Sequence, residues 1–452
     1  MANIMTENHH TNNTLNDNNQ QFVKWFRSAA PYIHANKGHI FIVCFGGDMV
    51  QNPDFSCIVH DIALLSSLGI RLVLVYGIRP QVEQGLRMYG QQSRYVNGTR
   101  ITDKVALNCV KAACGEVFTE IESLLSMGLT NSPTNNVNIR TTSGNFITAC
   151  PIGIHDGVDY CYTGEVRRVD ETTITRRLDE GYIVLISPIG YSPTGESFNL
   201  LAEEVAARVA IALHATKLIY LTNTEGLLDN NGDLVRELTT LEAQHRLEQQ
   251  PTSNFENCQQ LTNAINACNN GVQRVHLISH QTNGSLLLEL FTRDGIGTLI
   301  STDPFEHLRK ATIDDVGGLF ELIEPLEKAG ILVRRSREKL EMEIDNFIVQ
   351  ERDGTIIGCA ALYPFTDECL AELACLAVHS DYRRTGRGDA LLAFLEREAQ
   401  QLKLTRIFVF TTRAAHWFQE RGFIAAKLNS LPISQQTLYN YQRNSKVFVK
   451  WL

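Results

Sequence analysis

The chain has no C-x-x-C pair among its eleven cysteines and no regular cysteine spacing. That argues against a disulfide framework and offers no metal-binding cluster. No apolar run approaches the roughly 18 residues that a membrane span needs. No secretory signal is visible either, since residues 1–20 are polar and asparagine-rich and are expected to be a disordered tail. The adjacent His9 and His10 of that tail read as solvated side chains, and no metal is expected. Reduced thiols in a cytoplasm follow as the simplest expectation. Basic excess is absent too. A formal charge of −9 argues against general binding to nucleic acid or a membrane surface. Any polyanion must therefore be met by arginines gathered in one place. Internal repeats are also missing. At 452 residues, two or three domains with separate cores are expected.

From Phe22 to about Ile300 the chain alternates two kinds of segment. Apolar runs at Ile40–Phe45, Arg71–Val75, Ile183–Ile186, Leu218–Thr222 and Val275–Ile278 read as buried parallel strands. Amphipathic stretches such as Glu203–His214 and Cys258–Cys268 read as the helices between them. The pattern predicts an α/β fold, an αβα sandwich around a parallel-rich sheet, over residues 21–298. The Asp294-Gly-Ile-Gly-Thr298 turn and Asp303-Pro304 break it, so 299–310 reads as a linker. A second domain is expected over 311–452. Its predicted order is helix 313–329, strands 346–351 and 355–362 around a turn at Asp353-Gly354, then strand 371–378. Helix 388–402, strand 406–411, helix 414–421 and a closing strand follow.

Between strand 371–378 and helix 388–402 lies Arg383-Arg384-Thr385-Gly386-Arg387-Gly388. Glycines let a backbone approach a pyrophosphate, and a helix N-terminus adds positive potential. The spacing R-x-x-G-x-G resembles the acyl-CoA loop of the GNAT acetyltransferases, and the predicted order of elements is that of a GNAT fold. The resemblance implies acetyl transfer from acetyl-CoA, a co-substrate rather than a permanently bound cofactor. Arg383, Arg384, Gly386, Arg387 and Gly388 would hold the CoA. The backbone N–H groups of Leu376 and Val378 would meet its pantetheine arm and polarise the thioester. Glu372 interrupts the apolar strand and is expected on the face opposite Leu373, as either a solvated edge residue or the general base. Cys375 reads as lining the acyl site, or as a nucleophile lacking a nearby histidine to activate it. GNAT enzymes often carry a tyrosine four residues before the glycine of the His416–Phe423 segment, where it protonates the departing thiolate. Here that place is Phe418, and His416 and Tyr439 are weak substitutes.

Two arginine-bearing segments lie outside the loop, Ile331–Arg337 and Tyr439–Lys446. They suit a dicarboxylate amine, because guanidinium forks bind carboxylates bidentately. They suit equally a charged helix face with pairs such as Arg334–Glu338. Longer stretches then carry a second resemblance: Phe55–Leu65, Leu68–Gly77, Ser143–Ile147, Asp156–Tyr160, Thr194–Asn199, Arg293–Thr298, Gly330–Glu338, Glu341–Asp345, His416–Phe423 and Leu438–Arg443. In order and over nearly everything after residue 21, they resemble the bacterial N-acetylglutamate synthases, in which an amino-acid-kinase-like domain precedes a GNAT domain. That resemblance implies L-glutamate as acceptor in the first step of arginine biosynthesis. Arg334 and Arg443 would be carboxylate clamps, with Cys375 and Ser445 lining the pocket. In the kinase-like frame, family lysines are replaced by Cys44 and Gln260, a family aspartate by Asn223, and a glycine-rich loop by Gly77-Ile78-Arg79-Pro80. No kinase activity is expected. The resemblance further implies L-arginine as a feedback inhibitor, bound by Tyr32, Lys217, Glu289, Gly295 and Gly297, and a homo-oligomer, a hexamer being plausible. The rival readings are a protein-lysine acetyltransferase with an amino-acid-sensing domain, and an arginine-sensing subunit whose transferase is dead.

Overall fold

A computed structural model of the chain describes residues 3–127, 139–249, 255–383, 386–431, 436 and 445–452. It divides into two compact units, Met1–Pro304 and Phe305–Leu452.

The first unit opens with helix α1 (Asn3–Asn36) and strands β1 (Ile40–Phe45) and β2 (Arg71–Tyr76). Helix α2 (Arg79–Met88), strands β3 (Arg140–Thr142) and β4 (Tyr182–Ile186) and helix α3 (Ala202–Ala212) follow. Strands β5 (Lys217–Thr222), β6 (Glu237–Thr239) and β7 (Arg274–Ser279), helix α4 (Ser285–Phe291) and strand β8 (Thr298–Ser301) complete the central layer. The eight strands lie in the order β6-β8-β7-β5-β1-β2-β4-β3. All neighbours are parallel except β7 and β8. Alternate residues of each strand feed two cores. Ile42, Val73, Val184 and Leu218 pack with α3 on one face. Phe41, Val43, Leu74 and Ile219 pack on the other, with the helices Phe55–Ser67 and Lys104–Ser126. A sheet covered on both faces needs continuous apolar runs, which is why these strands were legible.

Two expectations change. The segment read as a disordered tail is the beginning of α1. Asparagine is a poor helix former, yet no proline or glycine occurs between residues 3 and 30, so the helix seeded by the apolar Phe22–Tyr32 stretch continues N-terminally. The stretch read as a linker, 299–310, holds two strands. In β8, Leu299 and Ile300 are buried, with Ile300 opposite Val275. Strand β9 (Glu306–Lys310) opens the second unit's sheet, with Glu306 opposite Arg352. Each pairs with chain far away in sequence, so a local pattern could not reveal it.

The second unit continues with helices α5 (Val316–Lys328) and α6 (Arg337–Met342) and strands β10 (Phe347–Arg352), β11 (Thr355–Phe365) and β12 (Leu370–Val378). Helix α7 (Arg387–Gln401), strand β13 (Arg406–Thr411), helix α8 (Ala415–Gln419) and strands β14 (Ile424–Ala426) and β15 (Lys446–Trp451) close it. The sheet order is β9-β10-β11-β12-β13-β15-β14. Only β12 and β13 run parallel.

Candidate active site

Strand β12 stays paired with β11 along its whole length but meets β13 only from Leu370 to Leu373. Beyond Leu373 no described strand pairs with that edge of β12. The amide of His379 donates to the carbonyl of Ile357 (2.8 Å), and Ala377 lies opposite Cys359. In an antiparallel ladder alternate residues turn to the partner, so the N–H groups of Leu376 and Val378 face that edge. A β-bulge precedes them: the register slips between Cys359 and Ala361, and Cys375 has φ of +54°. An extra residue flips the faces downstream. Ala371 and Leu373 join the core under α7, whereas Cys375 and Ala377 join the core under α5. Glu372 and Cys375 thus share a face that strict alternation would have divided between them.

On that face Glu372 lies opposite Tyr363 of β11. Glu372 is half-buried and has no hydrogen-bond or ion-pair partner among the described residues. Burial pushes its carboxyl up to about 7, with Arg335 and Lys339 opposing the rise and Glu343 adding to it. The Tyr363 hydroxyl donates to Glu343 Oε2 (2.6 Å). The Arg335 amide donates to Glu327 Oε1 (2.9 Å), and its Nη1 lies 3.6 Å from Cys375 Sγ. Contact with Cys359, helped by Arg335, lowers the Cys375 thiol despite burial, and Cys359 is raised in turn.

The expected clamp Arg334 is exposed and makes no polar contact among the described residues. Its neighbour Arg335 is the one that lies near Cys375 and Glu372, and its amide is held by Glu327. Arg443, Tyr439 and Arg384 lie outside the described residues, while Ser445 is half-buried just before β15.

In the glycine loop, Arg383 Nε donates to the Val378 carbonyl (3.2 Å), tying the loop to the end of β12. Gly386 has φ of +81° and caps α7 with no side-chain bond, so the first amides of the helix have no side-chain acceptor at the cap. At Gly388 a Cβ would stand 3.1 Å from the Trp417 ring, so this glycine also lets α8 pack against α7. The Arg387 side chain, expected on CoA, pairs with Glu306. Phe418 is buried between the rings of Trp417 and Phe423, and His416 is exposed.

The first unit holds two further features. A cavity of about 320 Å³ is bordered by Gly46, Gly47, Gly77, Ile78, Arg79 and Asn223. Asn223 donates to Asp48 Oδ2 (3.0 Å) and accepts from His280 Nε2 (2.7 Å), and Cys44 is buried in β1. Elsewhere Glu289 accepts bonds from His276 Nδ1 (2.6 Å) and from the amides of Ile296 (2.6 Å) and Gly297 (3.0 Å). Burial works to raise this carboxyl, but those bonds carry it well below the usual range. Burial lowers His276, favouring the neutral ring. With Nδ1–H given to Glu289, Nε2 is a buried acceptor without a partner. Lys217 is buried nearby on β5 and depresses His276 further. Tyr32 is half-buried on α1, and a Cβ at Gly295 would collide with Glu289. Two of the expected arginine-site backbone positions, near Gly295 and Gly297, thus shape Glu289. His276 was missed; its only signal is one polar residue inside the apolar run Val275–Ile278.

No group of three or more His, Cys, Asp or Glu among the described residues could hold a metal, and no described helix is long and apolar enough to cross a membrane.

A sheet that opens beside an unpartnered glutamate, with outward amides leading to a glycine loop at a helix start, defines an acyltransferase of the GNAT class, here preceded by an amino-acid-kinase fold. Comparison with known proteins agrees. Residues 39–279 match the amino acid kinase family, and residues 343–425 match the acetyltransferase (GNAT) domain. The chain is 50% identical over 438 residues to an amino-acid acetyltransferase of Yersinia pseudotuberculosis, covering 96% of this chain and 99% of that one. It superposes with a TM-score of 0.87 and 37% identity on N-acetylglutamate synthase from Neisseria gonorrhoeae complexed with coenzyme A and L-arginine, covering 95% of this chain and 99% of that one. A second structure of that enzyme, with coenzyme A and N-acetyl-glutamate, gives 0.61 and 38% over the same shares. The chain belongs to the amino-acid acetyltransferases of the N-acetylglutamate synthase family and is an N-acetyltransferase.

Proposed function

We propose that the enzyme moves acetyl from acetyl-CoA to the α-amino group of L-glutamate, giving N-acetyl-L-glutamate and CoA, under inhibition by L-arginine. One observation carries the reading: Glu372, with no partner among the described residues and its carboxyl pushed up to about 7 by burial, shares a face with the Arg335 guanidinium beside β12. A carboxylate with that pKa takes a proton from the substrate ammonium at neutral pH. The freed amine attacks the thioester carbonyl, forming the C–N bond. The resulting oxyanion is met by the outward N–H groups of Leu376 and Val378. Collapse breaks the C–S bond and releases CoA as thiolate. A thiol of ordinary pKa, about 8.5, leaves without a phenolic donor, so Phe418 is no obstacle. Transfer is direct: Cys375 is buried and no described histidine contacts it. Arg335, with Arg443 and Ser445, would hold the glutamate carboxylates, and Arg383, Arg384, Gly386 and Gly388 the CoA.

L-Arginine would enter the His276–Glu289–Lys217 cluster with Tyr32 beside it. The orphan Nε2 of a neutral His276 needs a donor, and a guanidinium supplies several. Glu289 keeps acceptor capacity for it, since a carboxylate offers about four sites and three are filled. The Neisseria enzyme's complex with L-arginine supports the assignment. Phosphoryl transfer is lost, because Asn223 and Cys44 stand where charge would be required.

Thiol release from acetyl-CoA, measured with L-glutamate as acceptor and with or without L-arginine, tests both halves. Glutamate-dependent release suppressed by arginine supports them. Release indifferent to arginine leaves the first unit as scaffold. Release only with lysine-bearing peptides would overturn the acceptor.

A further inference from the structure

The helix start that follows the proposed acyl-CoA loop is tied to a residue outside it. Glu306, at the start of β9, receives Arg387 through Nε (2.9 Å to Oε2) and through Nη2 to Oε1. The same carboxylate receives Arg352 Nη1 (2.8 Å) from the facing strand and Gln350 Nε2 (3.3 Å). All three charged side chains are largely shielded: 17% exposed at Glu306, 17% at Arg387 and 9% at Arg352. Arg387 also stacks over the Tyr382 ring (5.0 Å), and Arg352 over Phe305 (4.6 Å). Although burial works to raise it, the two guanidiniums keep the Glu306 carboxyl below its usual range.

This geometry brackets the loop. Arg387 is the first residue of α7 and Tyr382 ends the turn before the loop, so the pair clamps both sides of Arg383–Gly386. A glycine-bearing loop is costly to order, and one that offers backbone amides to a phosphate binds well only if held in the right shape beforehand. We infer that Glu306 is a positioning residue for acyl-CoA: through Arg387 it fixes the α7 N-terminus, with the amides of Gly386 and Gly388, without touching the ligand. The inference rests on the reading of this loop as the CoA site. It reverses two sequence expectations together, since Glu306 was counted as linker and Arg387 as a direct ligand.

The test is CoA binding to the full-length enzyme by calorimetry for wild type, Glu306→Gln, Arg387→Met and the double variant, with thermal melts alongside. Arg387→Met leaves Glu306 paired with Arg352, so it disturbs the strand pairing least. The expected result is a Kd raised about tenfold in each single variant and no further in the double, with kcat within about threefold once acetyl-CoA saturates. Losses that multiply in the double variant would mean that Arg387 binds CoA by itself, and would overturn the proposal. Unchanged Kd in folded Glu306→Gln would overturn it equally. If that variant does not fold, Arg387→Met decides alone, and an unchanged KM for acetyl-CoA there sinks the idea. Failure of wild type to bind CoA would instead overturn the reading of the loop.

Discussion

Glu372 and Glu289 are both shielded glutamates near a basic side chain, and their carboxyls move in opposite directions. Glu289 is met by His276 and by the amides of Ile296 and Gly297, which hold it ionised. Glu372 has no such partners, and burial leaves it near 7. Hydrogen bonds to the charged form outweigh desolvation in one case, and desolvation wins in the other. The first arrangement suits permanent recognition of a cation. The second suits a group that must gain and lose a proton in each turnover.

The sharpest way to break this contrast is Glu372→Gln. It should lower kcat by about 10²–10⁴-fold with little change in CoA affinity, because the amide cannot accept the proton. Wild-type kcat/KM should rise with pH through about 7 and then level, and the variant should lose that limb. A variant with full activity would remove Glu372 as base.

Next in size, Arg335→Ala should raise the KM for glutamate roughly 10–100-fold, the worth of a lost charge-assisted fork. Arg334→Ala should change it less than about twofold, as expected of an exposed side chain. Steady-state kinetics on the pair would reverse the assignment if Arg334 proved the sensitive position.

On the other side, His276→Gln should weaken inhibition by arginine about tenfold or more while leaving uninhibited kcat unchanged. Loss of basal activity as well would show that the cluster supports the fold rather than a ligand.

The smallest effect is on stability. A carboxyl whose folded pKa is raised favours the folded state below its unfolded pKa and loses that contribution as pH rises through about 7. For Glu372 the loss is of the order of 1–3 kcal/mol. Glu372→Gln should therefore melt above wild type at pH 8 but not at pH 5, as followed by calorimetry. Glu289 has the opposite sign: its contribution is present above the ordinary glutamate range and fades as pH falls through its depressed value. Equal melting of Glu372→Gln and wild type at pH 8 would indicate that Glu372 is less desolvated than its surroundings imply.

Much of this was legible in the chain because of what each signal depends on. The buried strands of the first unit declared themselves as near-continuous apolar runs, since a sheet covered on both faces favours apolar side chains on both sides. The Arg/Gly loop was visible because its spacing comes from local backbone requirements, and Glu372 because a carboxylate interrupts an apolar strand. Alternation also placed Glu372 opposite Leu373, and the cores bear that out. What alternation could not foresee was the bulge at Cys375, which turns Cys375 to the side of Glu372. Nor could it tell which of the neighbours Arg334 and Arg335 turns toward Cys375.

The sequence by itself therefore determined the two fold classes, the Arg/Gly loop before a helix and the carboxylate inside an apolar strand, all of which rest on residue type and short-range period. Tertiary structure alone decided that the stretch around Glu306 is a strand, that Arg387 is already paired with it, that His276 bonds Glu289, and that Arg335 rather than its neighbour lies beside Cys375. These depend on partners between 8 and 81 residues away along the chain. Such pairings are specified by how the sheets close and the cores fill, and no local pattern carries them.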